Sequence, residues 1–130
     1  MTKDQTKKTI LIVEDDLPIL GVLSDKLVRE GFNVLQAKDG LEGLKIALKG
    51  RPDLILLDII MPRLDGISMM KRLRVANKWG EKVKIIILTN LSPCDGKLGG
   101  SFIKKEPGSY LVKSNWSLNT LVERVRKTLE

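Results

Sequence analysis

Histidine is missing altogether from this chain of 130 residues. Its absence removes imidazole acid/base catalysis, any Cys/His zinc cluster and any phosphohistidine carried by the chain itself. Cysteine is nearly absent too. Cys94 alone cannot close an internal disulfide, and one unpaired thiol in a loop suits a reducing cytosol. Aromatic residues are limited to two Phe, two Trp and one Tyr, few for stacking nucleic-acid bases. No apolar run approaches the roughly 18 residues that span a bilayer. Residues 1–9 are polar, with Lys3, Lys7 and Lys8, and lack the apolar centre of a secretory signal. A soluble cytoplasmic protein without membrane insertion is therefore expected.

What the chain does have in excess is positive charge, formally +7 with 23 Lys and Arg against 16 Asp and Glu. The basic residues are spread over the tail, most helical stretches and the loops rather than gathered in one segment. That spread predicts a solvated basic surface, and nucleic acid is not expected as a partner. The length suits one domain. The organisation predicted is a flexible basic tail over residues 1–8 and a single domain over residues 9–130, without repeats or an interdomain linker.

Hydrophobic periodicity divides that domain into alternating strands and helices. Residues 9–13, 32–37, 54–57, 83–88 and 110–112 are short apolar runs of the kind that fill a parallel sheet covered on both faces. Between them, Ile19, Leu20, Leu23 and Leu27 recur at helical spacing, with Pro18 in the first turn, Asp16 as the cap and Gly31 as the stop. Leu41, Leu44 and Leu48 mark a second helix ending at Gly50, and Ile67, Met70, Leu73 and Arg74 outline a third. Leu118, Leu121, Val122, Val125 and Leu129 form the stripe of a last helix capped by Ser117. Strict alternation with right-handed crossovers predicts an α/β fold: a doubly wound five-stranded parallel sheet in the order 2-1-3-4-5 with helices on both faces. The fourth helix is predicted to be weak or irregular, because residues 92–108 carry Pro93, Gly96, Gly99, Gly100, Pro107 and Gly108.

In such a sheet the carboxyl ends of the strands line one crevice. Four of those ends carry polar groups: Glu14-Asp15-Asp16, Asp58, Thr89 and Lys113. Each is ordinary alone, since acids favour helix N-termini and strand-end turns, threonine favours strands, and lysines are usually solvated. Together they bring carboxylates, a hydroxyl and an ammonium into one place. Converging carboxylates repel unless a cation neutralises them, and Mg²⁺ suits a site with a few protein oxygens that leaves room for water and phosphate.

On Ile10-Leu11-Ile12-Val13-Glu14-Asp15-Asp16, the Asp58-to-Gly66 segment with its Met61-Pro62 pair and Asp65-Gly66 turn, Leu88-Thr89, and Tyr110-Leu111-Val112-Lys113, the chain resembles a response-regulator receiver domain, the phosphoacceptor module of two-component signalling. The resemblance runs from about residue 9 to residue 129. It implies that Asp58 accepts a phosphoryl group from a sensor histidine kinase or phosphotransfer protein. It also implies that Glu14, Asp15, Asp58 and the Ile60 backbone carbonyl hold Mg²⁺, that Thr89 and Lys113 contact the phosphoryl oxygens, and that Tyr110 is an aromatic switch. Ile60, Asn90 and Leu91 occupy positions expected to tune the lifetime of the phosphorylated form. On this view the chain is not a turnover enzyme, and it signals to an unknown downstream protein either alone or as part of a longer regulator. Two departures stand out: Asn90 replaces the usual small residue after Thr89, and Lys113 is followed by Ser114 instead of proline. A degenerate receiver that binds partners without phosphorylation, and an aspartyl-phosphate hydrolase, are the alternatives. The hydrolase would need an acid two residues after Asp58, where Ile60 stands.

Overall fold

The computed structural model describes residues 7–59, 61–89, 108–112 and 117–130, with the backbone alone described at 89 and 108–112. In chain order the elements are β1 (Thr9–Val13), α1 (Leu17–Arg29), β2 (Asn33–Ala37), α2 (Gly40–Gly50), β3 (Leu54–Asp58), α3 (Gly66–Ala76), α4 (Lys78–Lys82), β4 (Lys84–Thr89), β5 (Gly108–Val112) and α5 (Leu118–Leu129). The strands form one parallel sheet in the order β2-β1-β3-β4-β5, the order expected from the alternation of strands and helices. The expected irregular fourth helix falls on residues outside those described, as do Ile60, Asn90, Leu91, Cys94 and Lys113.

Alternate residues of the central strands feed two separate cores, which is why these strands read as continuous apolar runs. Ile10, Ile12, Leu54, Leu56, Ile86 and Leu88 face α1 and α5. Leu11, Val13, Ile55, Leu57, Ile85 and Ile87 face α2 and α3. In α5 the stripe buries Leu121, Val122 and Val125, and Ser117 Oγ accepts the Thr120 N–H at 3.2 Å.

The end of α1 is a Schellman turn. Gly31 sits at φ +96°, its N–H donates to Val28 O, and the Phe32 N–H donates to Leu27 O. That turn takes Phe32 out of β2, so the strand begins at Asn33 while Phe32 stays buried in the core. A second difference from the expectation is α4. Asn77 accepts the Gly80 N–H at 2.7 Å and starts one helical turn, whose last cap is Val83. The strand expected from Val83 therefore begins at Lys84. Just before β1, Lys8 O accepts the Asn33 N–H at 2.9 Å, and residues 1–6 of the expected tail lie outside those described.

Candidate functional site

The crevice lies where β1 and β3 run side by side, with Val13 opposite Leu57, while the helices that follow them depart to opposite faces. The Glu14 N–H still donates to Ala37 O at 3.0 Å, so the backbone tracks β2 for one residue past β1 before it turns. This holds Glu14 inward at 1% exposure, while Asp15 is exposed at the rim. Asp16 takes the capping role expected of it: its Oδ1 accepts the Ile19 N–H at 3.1 Å, and its own N–H donates to Glu14 Oε2 at 3.3 Å.

Asp58 is the last residue of β3, 8% exposed, and its Oδ1 accepts the Ile59 N–H at 2.8 Å. One carboxylate oxygen each from Glu14, Asp15 and Asp58 lies within 4.8 Å of the others. At that spacing each like-charged pair costs on the order of 3 kcal/mol at an effective dielectric of about 20. Three hard oxygen donors so placed, two of them buried, match what a small divalent cation requires. The cluster thus could hold a metal.

Asp58 pairs with Leu88 across the β3–β4 ladder, so the Thr89 backbone lies one step further toward the same edge. β5 aligns Tyr110 with Ile87 and Val112 with Thr89. The backbones of Thr89 and Tyr110 therefore stand at the two strands beyond Asp58. Their side chains, together with Ile60, Asn90, Leu91 and Lys113, are outside the described residues.

The segment after Asp58 is folded back tightly on itself. The Gly66 N–H donates to Ile59 O at 2.8 Å, and a Cβ on Gly66 would stand 2.2 Å from the Asp58 carbonyl oxygen. Only glycine fits there. Asp65, expected as part of a turn, caps α3: its two carboxylate oxygens accept the Ser68 N–H and Oγ–H, each at 2.8 Å. Burial pushes the Asp65 carboxyl up, but the bonds from Ser68 outweigh it and leave the group below its usual value.

Two residues at this edge escaped the sequence reading. Asp39 is 6% exposed; its Oδ1 caps α2 by accepting the Glu42 N–H at 2.8 Å, and its Oδ2 lies 3.2 Å from the Arg63 guanidinium. The available signal was the Asp39-Gly40 dipeptide, which repeats the Asp65-Gly66 pattern at the next helix.

Comparison with known proteins agrees with this geometry. A family model described as the response regulator receiver domain matches residues 10–126. The transcriptional regulatory protein PrrA of Mycobacterium tuberculosis is 38% identical over 124 residues, covering 95% of this chain and 51% of that protein. The chain thus spans about half the length of that relative. The sporulation initiation phosphotransferase F of Bacillus subtilis is 41% identical over 86 residues, covering 66% of this chain and 67% of that protein. Among solved structures, the receiver domain of the sensor histidine kinase PA1611 from Pseudomonas aeruginosa, which has a magnesium ion coordinated in its active site cleft, superposes with a TM-score of 0.80 at 28% identity. The match covers 95% of this chain and 98% of that one. A family match across most of the sequence, relatives above 30% identity and the shared parallel sheet all agree: the chain belongs to the response regulator receiver domain family.

Proposed function

We propose that this chain is a phosphoacceptor switch in which Asp58 takes a phosphoryl group from the phosphohistidine of a sensor kinase or phosphotransfer protein. The carrying observation is the convergence of Glu14, Asp15 and Asp58 within 4.8 Å at the switch point of the sheet. An Asp58 carboxylate oxygen attacks phosphorus, the bond from phosphorus to the donor nitrogen breaks, and the electron pair leaves with the donor imidazole. This chain's residues have little covalent work to do, because phosphoryl transfer is accelerated mainly by positioning and by neutralising charge. The bond from the Ile59 N–H orients the carboxylate. Glu14 and Asp15, with the Ile60 carbonyl, are the groups that would hold Mg²⁺ beside it. When bound, Mg²⁺ supplies positive charge to the acceptor and the phosphoryl oxygens. The magnesium ion in the PA1611 receiver domain supports this assignment.

Thr89 and Lys113 are assigned the phosphoryl oxygens, Tyr110 the inward switch, and Ile60, Asn90 and Leu91 control of lifetime, all as family roles at matching positions. The protein is an acceptor, not a turnover enzyme, and acts in the cytoplasm.

A second reading concerns the output. PrrA is a transcriptional regulatory protein, and this chain matches about half of it. In a longer regulator of that kind DNA would be a downstream partner of the whole protein, which revises the expectation that nucleic acid has no part.

Intact-mass analysis after incubation with acetyl phosphate tests the acceptor. One phosphoryl group is expected on wild type with Mg²⁺, much less with chelator, and none on Asp58→Asn. Equal labelling of Asp58→Asn would remove the assignment.

A further inference from the structure

The loop that follows the acceptor carries a conformational oddity. Arg63 sits at φ +69°, in the left-handed region that glycine occupies freely and that side chains resist. Its guanidinium stretches to the Asp39 carboxylate at 3.2 Å. Asp39 belongs to a different loop, the one that starts α2, and its carboxylate is almost fully buried. Removing the guanidinium would leave that buried charge with the Glu42 N–H on its other oxygen.

A second contact joins the same two loops. A Cβ on Gly40 would stand 2.0 Å from Leu64 O, so the backbone beyond Arg63 rests directly on the first turn of α2. The segment between Asp58 and Gly66 is therefore fixed where its ends meet, by Gly66 against Asp58 O, and between them by Arg63 and Leu64 against the start of α2.

We infer that the Asp39–Arg63 ion pair is a clamp that positions the acceptor loop for its cation, making both of them positioning residues for metal binding. The inference rests on the phosphoacceptor reading above. A strained backbone held by a charge pair between two loops is the kind of local feature that the surroundings must over-determine. Here the loop it holds is the one that directly follows Asp58 at the end of β3.

Mg²⁺ titration at 25 °C, alongside thermal melts, provides the test. Arg63→Gln and Asp39→Asn, the latter keeping a good helix cap, should each weaken Mg²⁺ binding about tenfold, the low end for groups that act on a metal ligand through a neighbour. The double variant should be no worse than either single one, and Arg63→Lys should recover part of the loss. Arg126→Gln, which breaks a pair with Glu30 on another part of the surface, should lower the melting temperature and leave Mg²⁺ affinity unchanged. Affinities within twofold of wild type in both single variants would overturn the clamp. Wild type that fails to bind Mg²⁺ at all would instead overturn the phosphoacceptor reading together with the clamp, and is told apart because no variant is needed to see it.

Discussion

The two edges of the sheet differ in the signs of charge they bring together. At the carboxyl edge, Glu14, Asp15 and Asp58 bring one carboxylate oxygen each within 4.8 Å of the others. At the amino edge an open cleft of about 260 Å³ is lined by Lys8, Lys82, Lys84, Asp53, Trp79 and Leu129, among others. There the charges are tied into the backbone: Lys84 Nζ donates to the Thr128 carbonyl, and Asp53 Oδ2 accepts the Thr9 N–H at 2.7 Å. The amino edge spends its charges on holding elements together. The carboxyl edge instead gathers charge of one sign at a single point, where a cation arriving from outside would be held.

That contrast predicts stability effects of opposite sign. The largest should come from Arg74→Ala. Arg74 Nη1 donates to Gly80 O at 2.8 Å and Val83 O at 2.7 Å, pinning α4 and the start of β4 to α3. Losing both bonds should cost about 3 kcal/mol in a urea melt, with Mg²⁺ affinity within twofold of wild type. An equal loss of metal affinity would mean that the two edges are not separable.

Asp58→Asn should move the other way. In metal-free buffer, removing one of three crowded charges should stabilise the protein by about 1 kcal/mol, and added Mg²⁺ should no longer raise the melting temperature as it does in wild type. A destabilised variant would show that the repulsion is already compensated in the resting state.

The smallest effect sharpens the comparison at a surface site belonging to neither edge. The hydrogen bond from Arg126 holds the Glu30 carboxyl below its usual value, burial works against it, and the charges of Lys26 and Arg126 assist. A carboxyl whose folded value is depressed contributes stability fully above its unfolded value and loses it as pH falls through the folded value. The difference between wild type and Arg126→Gln should therefore be constant above about pH 5.5 and shrink below the ordinary value of 4.5. A difference that persists undiminished to about pH 3 would assign Arg126 to its stacking on Phe32, 5.1 Å from the ring centre, instead of to Glu30.

Much of this was legible beforehand for physical reasons that can be named. The runs at residues 9–13 and 54–57 announce buried strands because both faces are covered, and Asp16 and Ser117 announce caps because their short side chains reach backed-up N–H groups. The three carboxylates could be brought together in thought because sheet order alone fixes which strand ends are neighbours. α4 was not legible. Five residues with Gly80 inside and Trp79 packed on the core form a helix only because Asn77 caps it and tertiary contacts hold it. The Asp39–Arg63 pair was hidden for a different reason. It joins two loops whose approach depends on Gly40 and on a left-handed arginine, and neither distance nor dihedral is written in residue type.

The closure of Gly66 onto the Asp58 carbonyl has one more consequence, for how this stretch can drift in sequence. A loop whose ends meet and whose middle is seated on α2 is anchored at several points, so a change of length must displace at least one of them. An exposed position such as Pro62, which makes none of these contacts, can change character. A residue added or deleted between Asp58 and Gly66 would instead pry the acceptor away from the helix that backs it, so variation here should be confined to substitution.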